Sequence, residues 1–244
     1  MCGRFFRHGV SWEEYSSYLN LFEYAGIDPP EAAYNIAPTQ IAPIVRIAME
    51  DEPVPQGERH LAPAMWGLVP SWWRKPLSEK KFSTFNARSE GVATSNTFRG
   101  SFRHKRCLVP VSGFYEWTGP KGKKTPFAIG LRNRRWFCFA GLWDRATIDG
   151  SEIDTFTILT TTPNDLMAGL HTRMPVILDP SDYDRWLDTS SRDVEDLYEP
   201  FASDAMHAWA VGPAVGNVRN QGIELTEEVQ PKLSLRRSRR RRLC

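Results

Sequence analysis

Between Ile41 and Val211 the chain alternates short apolar runs with turn-forming residues, a spacing that predicts strands. The runs are Ile41 to Ile47, Ala64 to Leu68, Cys107 to Val111, Phe114 to Trp117, Pro126 to Leu131, Arg135 to Leu142, Thr155 to Thr161, Met174 to Leu178 and Ala208 to Val211. Gly119-Pro120-Lys121-Gly122 marks a hairpin tip, and turn signals without intervening helices favour antiparallel pairing. Helical spacing is confined to three places. Ser11-Trp12-Glu13-Glu14 has the form of a capping box, with Tyr15, Leu19 and Phe22 on one face and Gly26 as a stop, so a helix is predicted over 11–25. Thr162-Pro163 with Asp165 starts a second helix, ending near His171, and Ser181-Asp182 starts a third that restarts toward Leu197. The expected fold is one α+β domain over 2–225, with a curved, mainly antiparallel β-sheet or barrel-like core flanked by a few helices. The stretch from Glu50 to Arg59, rich in proline and charge, reads as a surface loop.

Composition narrows the class. The 244 residues are 41% hydrophobic and 25% charged, as in a soluble globular protein, and no apolar stretch approaches the roughly 18 residues that span a bilayer. A cytoplasmic monomer with no membrane association and no obligate protein partner is expected. The four cysteines, Cys2, Cys107, Cys138 and Cys244, lack metal-type pairing, so no metal or other cofactor is expected. Cys107 and Cys138 sit in strand-like runs and read as buried inert thiols. The net charge of +2 hides a division, because seven of the 31 basic residues lie between Lys232 and Cys244 with no acid. The preceding residues carry 24 basic against 29 acidic groups, about −5, so a nucleic-acid site there must be a local basic groove. Residues 226–244 read as a basic, disordered tail, with nonspecific phosphate affinity as the alternative.

Candidate chemistry begins at Cys2. Removal of the initiator methionine would leave a β-aminothiol, whose α-amine titrates at roughly 7.7–8.0 and whose thiol titrates near about 8.5. The amine condenses with an aldehyde to a Schiff base, and the neighbouring thiol closes on the imine carbon to a thiazolidine. The alternative is a small residue tolerated after methionine. Glu116 lies in Val111-Ser112-Gly113-Phe114-Tyr115-Glu116-Trp117, where alternation puts it on the face of Phe114. A carboxyl group among aromatics is desolvated and suited to proton donation near neutrality, unless the strand is an edge and Glu116 faces water. His171, in Leu170-His171-Thr172-Arg173-Met174-Pro175, is either a proton shuttle at a helix–strand junction or a helix cap. Asn35 and Asn86 read as turn formers or site residues. Arg88 beside polar groups suits a phosphate, and Trp72-Trp73 suit either base stacking or the core.

Taken together, Met1-Cys2-Gly3-Arg4-Phe5, Tyr34-Asn35-Ile36-Ala37-Pro38, Trp66-Gly67-Leu68-Val69-Pro70 with Trp72-Trp73, Asn86-Ala87-Arg88, Gly113-Phe114-Tyr115-Glu116-Trp117, His171-Thr172-Arg173-Met174-Pro175 and Val215-Gly216-Asn217 resemble the SRAP (SOS response-associated peptidase) family of abasic-site processing proteins. The resemblance spans nearly all of residues 2 to 222. It implies a sensor of abasic sites in single-stranded DNA that forms a covalent thiazolidine DNA–protein crosslink through Cys2 and thereby protects damaged DNA. It further implies that Asn35 orients the new terminus, that Glu116 transfers protons during ring opening and imine formation, and that His171 assists. Arg4, Asn86, Arg88 and Arg173 match phosphate-holding positions, and Trp72 and Trp73 match a wedge that disrupts stacking. Self-processing peptidase activity, and Schiff-base lyase activity in some members, belong to the same family pattern. The arginine-rich end beyond Pro231 is not part of that pattern.

Two rival classes use the same residues differently. An N-terminal-nucleophile amidohydrolase also needs a free Cys2, but it does not explain Glu116, His171 and Trp72-Trp73 as one set. A noncatalytic single-strand DNA-binding protein would use Trp72, Trp73 and the arginines and be indifferent to Cys2.

Overall fold

The computed structural model of the chain describes residues 2–22, 29–50, 52–80 and 82–229. The first part of the chain forms β1 (Phe5–Arg7), α1 (Trp12–Leu19), β2 (Ala33–Ile36), β3 (Ile41–Ile47), β4 (Arg59–Trp66) and β5 (Asn86–Arg88). Next come α2 (Arg99–His104), β6 (Arg106–Val111), β7 (Gly113–Thr118), β8 (Thr125–Leu131), β9 (Phe137–Ile148) and β10 (Ser151–Thr161). α3 (Asp165–Ala168), β11 (Met174–Pro175), β12 (Ile177–Leu178), α4 (Tyr183–Leu187) and β13 (Met206–Ala210) follow, joined by short 3-10 turns.

The strands form two sheets. One is antiparallel, in the order β13-β8-β7-β1-β2. In the other, β10, β4, β3, β6 and β9 pair in succession and β9 pairs back with β10, which closes a five-stranded ring. The expected α+β fold with a curved, mainly antiparallel core is therefore the observed one, and its exceptions are the parallel pairings of β10 with β4 and β5. The largest core unites residues of both sheets, among them Phe5, Trp66, Phe114, Phe139 and Phe156, all fully buried. Each such side chain contributes on the order of 2–3 kcal/mol relative to exposure. Cys107 and Cys138 are buried thiols in strands, and Cys244 lies outside the described residues.

Several boundaries differ from expectation, each for a local reason. The capping box forms, with the Glu14 N–H donating to Ser11 Oγ at 3.2 Å, but α1 stops at Leu19. Asn20 turns left-handed (φ 49°, ψ 55°), and the Leu21 N–H reaches back to the Ser16 carbonyl at 2.9 Å, a hydrogen-bonded stop that needs no glycine. Gly26 lies outside the described residues. The second helix is capped by Asn164 rather than Thr162 and ends at Ala168, short of His171. The run Met174 to Leu178 divides at Val176, whose N–H bonds Leu159 on one side while its carbonyl accepts from Ala140 on the other, so the chain crosses from β10 to β9. The expected surface loop from Glu50 to Arg59 is mostly exposed, but Val54 and Arg59 within it are buried. At the other end the fold continues past the expected boundary at 225. The Trp209 Nε1–H donates to the Thr226 carbonyl at 2.8 Å, and Val229 N–H to Ala210 at 2.8 Å.

Candidate active site

Cys2 leads into β1, which lies between β2 and β7: Phe5 pairs with Ile36 on one side and with Phe114 on the other. The Tyr115 N–H extends the second pairing by donating to the Arg4 carbonyl at 3.0 Å. Threading the chain start between the strands of Asn35 and Glu116 is what brings these residues together. Cys2 is fully buried, and its Sγ donates to the Arg4 carbonyl at 3.7 Å. Burial pushes the thiol well above its ordinary value, the nearby Glu116 charge adds to the rise, and the positive chain terminus opposes it.

Glu116 is 5% exposed on β7, on the Phe114 side of the strand and not at a solvated edge. Burial raises its carboxyl to about 7, against the opposing positive charges of the chain terminus and Lys124. At neutral pH it is thus present as both acid and carboxylate, and it can give or take a proton beside the thiol. His171 follows α3 and is half-buried, and its own N–H donates to the Met167 carbonyl at 2.7 Å. Its Nδ1 lies 3.0 Å from the Arg173 N–H and 3.1 Å from the Arg173 carbonyl, so it accepts from the first in one tautomer and donates to the second in the other. The ring is held below its usual titration range by burial, then by the chain terminus, with Lys124 adding a smaller effect. Glu116 and His171 therefore feel the same two positive charges, and Lys124 on the β7–β8 hairpin is one of them. The Pro120-Lys121-Gly122 signal located that hairpin, but nothing in the sequence tied its lysine to the site.

The polar side chains around Cys2 take roles that spacing alone did not assign. Asn86 on β5 donates from Nδ2 to the Cys2 carbonyl at 2.8 Å, so it holds the backbone at Cys2. Asn35, fully buried, bonds to Arg4 and to the carbonyls of the 215–220 segment. Its Oδ1 accepts from Arg4 at 2.6 Å, and its Nδ2 lies 3.2, 2.9 and 3.1 Å from the carbonyls of Val215, Asn217 and Asn220. Arg4 also donates to the Val215 carbonyl at 2.9 Å, and its guanidinium lies 5.7 Å from the Trp117 ring. The Val215-Gly216-Asn217 segment thus works through its carbonyls, which is why side-chain chemistry gave no sign of it. Gln221, donating to the Asn35 carbonyl at 3.2 Å, is a further residue without a sequence signal.

Arg88 and Arg173 flank the end of β10, where Arg88 pairs with Thr160 across β5 and Arg173 immediately precedes β11. Arg88 is exposed. Arg173 forms a two-pronged ion pair with Glu90, one bond of which is 2.9 Å long. Trp72 is 56% exposed rather than packed in the core, and Trp73 is edge-on to the exposed Phe82 at 5.7 Å. A Ser71 N–H bond of 2.8 Å to Asp144 anchors this aromatic ledge. Among the described residues, no group of three or more His, Cys, Asp or Glu is arranged to hold a metal ion, and no helix is long and apolar enough to cross a membrane.

Comparison with known proteins matches this arrangement over almost its whole length. The chain is 34% identical over 240 residues to the abasic site processing protein YoqW of Bacillus subtilis, covering 93% of this chain and 99% of the relative. It is 30% identical over 236 residues to the abasic site processing protein YedK of Escherichia coli, covering 94% and 100%. A solved protein from Bordetella bronchiseptica superimposes with a TM-score of 0.71 at 28% identity, covering 86% of this chain and 100% of the other. The family model for SOS response associated peptidase (SRAP) matches residues 1–218, from the start of the chain through β13 and the Val215 carbonyl turn. With Cys2, Glu116, His171 and the segments that hold them all inside that match, the chain belongs to the SRAP family.

Proposed function

We propose that this protein processes abasic sites in single-stranded DNA by forming a covalent thiazolidine through Cys2. The observation that carries this reading is the burial of the Cys2 thiol beside a carboxyl group that titrates at about 7. Removal of Met1 exposes the amine. That amine attacks the aldehyde of the ring-opened sugar, and loss of one water leaves an imine. The thiol S–H then adds across the C=N bond, sulfur to carbon and proton to nitrogen, so the net change is release of one water. Glu116 in its acid form donates to the ring oxygen as the sugar opens, and as carboxylate it takes the proton shed by the attacking amine. His171 supplies a second proton carrier. Asn86 fixes the Cys2 carbonyl, while Asn35 positions Arg4 and so acts through it.

The DNA strand runs over Arg4, Asn86, Arg88 and Arg173, with Trp72 and Trp73 as the apolar wedge against exposed bases. A phosphate on Arg173 exchanges with the Glu90 carboxylate. That exchange favours DNA only where the other cations add to the attraction, which suits a local basic groove on the net-acidic body that precedes Lys232. Self-processing of Met1 is part of the same reading, since the β-aminothiol exists only after that cleavage.

The test is electrophoretic. Purified protein mixed with an abasic single-stranded oligonucleotide is expected to give a complex that survives denaturing gels, absent with intact DNA and with Cys2→Ala. A complex that dissociates on denaturation in every case would overturn the proposal. Glutamine hydrolysis blocked by an amide-mimicking electrophile would point instead to an N-terminal-nucleophile amidohydrolase.

A further inference from the structure

The five-stranded sheet has a second hollow, on the face opposite Glu116. Side chains alternate along β7, so Glu116 lies on the Phe114 side, while Gly113 and Tyr115 face the other way with Phe6. On that opposite face His207 of β13 pairs with Gly130 of β8, and Phe6 of β1 pairs with Gly113 of β7. The two middle strands therefore present glycine where their neighbours carry rings. The Phe6 ring covers Gly113 so closely that an added Cβ would come within 2.4 Å of it. Over Gly130 lie the rings of His207 and Trp209, which stack on each other at 4.5 Å and 14° and leave room there for no more than a methyl group. A Cβ on Gly130 would meet those rings at 3.4–3.5 Å. The cavity beside them has a volume of 350 Å³, close to the lower bound for a small-molecule site.

Its charge distinguishes it. His8, Arg134, Arg135 and His207 line the cavity without a carboxylate. Four other clefts of comparable volume each contain at least two: Glu50, Asp184 and Asp188; Glu90, Glu195 and Glu199; Glu52, Glu152 and Asp154; and Glu13 with Glu14. Arg134 spends one nitrogen on Asp179 at 2.9 Å, and its Nη1 is shielded and has no hydrogen-bond partner among the described residues. His207 Nδ1 is in the same condition. Arg135 is exposed and forms no ion pair among the described residues. Its charge, together with burial as the larger cause, holds His8 below the usual histidine range.

The geometry points to a binding site for a nucleoside monophosphate in this cavity, the base lying beside the His207–Trp209 stack and the phosphate held by Arg134 and Arg135. Arginine forks match phosphate oxygens, and a flat ring gains from stacking whichever base it carries. The site is separate from the Cys2 centre. Its ligand chemistry has two sources, a free nucleotide or one residue of a DNA strand.

Calorimetric titration of the full chain with dAMP tests it. A Kd of roughly 0.1–1 mM is expected, and Arg135→Ala, at an exposed position, is expected to weaken it about tenfold or more. The same variant is expected to crosslink abasic DNA at the wild-type rate, so failure here is distinguishable from failure of the crosslinking reading. Displacement of dAMP by an intact single-stranded oligonucleotide assigns the site to a DNA strand, and persistence of dAMP binding in its presence assigns it to free nucleotide. No heat at several millimolar dAMP, equal affinity in Arg135→Ala, or equally tight binding of inorganic phosphate alone would overturn the inference.

Discussion

Glu52 and Glu116 both point inward on the same barrel-and-sheet scaffold, Glu52 partly and Glu116 almost fully buried, yet their carboxyls are shifted in opposite directions. Glu52 accepts from Arg46 Nη1 at 2.8 Å, from Arg145 Nη2 at 3.0 Å and from the Met49 N–H at 2.9 Å. Asp154 completes the cluster, 3.1 Å from Arg46 and 2.6 Å from Arg145. Burial pushes Glu52 up, but the hydrogen bonds and charges of the two guanidiniums outweigh it and hold the carboxyl at about 2. Glu116 is more deeply buried and has no arginine among the groups that shift it, and it sits at about 7. The difference teaches that an inward-facing acid of this protein titrates near neutrality where deep burial comes without a guanidinium, and stays charged where two guanidiniums meet it.

The largest effect should come from breaking the paired side. Glu52→Ala leaves Arg46, only 2% exposed, facing Asp154 without its second acid. A loss of roughly 3–5 kcal/mol in urea unfolding is expected, because a buried charge is left uncompensated. A loss below about 1 kcal/mol would show that water reaches the cluster.

Glu116→Gln separates the two acids by pH. The wild-type carboxyl is raised from 4.5 to about 7, so its ionisation opposes folding as pH rises through that interval, by roughly 3 kcal/mol in total. Melting temperatures of the wild type should fall between pH 5 and 8 relative to Glu116→Gln. Glu52 has the opposite sign: its stabilisation is full above pH 4.5 and is lost as pH falls toward 2. Parallel curves for wild type and Glu116→Gln from pH 5 to 8 would remove the contrast.

The same variant should crosslink abasic DNA about 100-fold more slowly while binding it nearly as well, since a positioned acid–base group is worth roughly 10²–10⁴. An unchanged rate in quench-flow would remove Glu116 from the mechanism. The smallest effect should come from His171→Ala. There we expect about a tenfold slowing, because Glu116 remains to carry protons. A loss as large as that of Glu116→Gln would reverse the assigned order of the two groups.

The contrast was only partly legible beforehand. Glu116 could be singled out because it stands among aromatics in a strand-like run. Glu52 could not, because it falls in a charged, proline-containing stretch that reads as surface, and its partners Arg145 and Asp154 are about a hundred residues away. The strands show the same division. β3 runs from Ile41 to Ile47 as its apolar pattern predicts, and the β7–β8 hairpin turns at Gly119, whose φ of 115° favours glycine. β1, β2 and β5 leave no pattern in the sequence, being three, four and three residues long. So few positions show no period, and such segments become strands only when longer neighbours supply hydrogen bonds.

The sequence by itself determined the strand-rich core, its turns, and the residue types capable of aldehyde chemistry at the start of the chain, because these depend on local periodicity and intrinsic reactivity. Only the tertiary structure decided that Cys2, Asn86 and Glu116 meet, that Asn35 serves Arg4, and which buried acid is neutralised. Those outcomes depend on short strands pairing across long stretches of chain and on which charges burial leaves without a counter-ion.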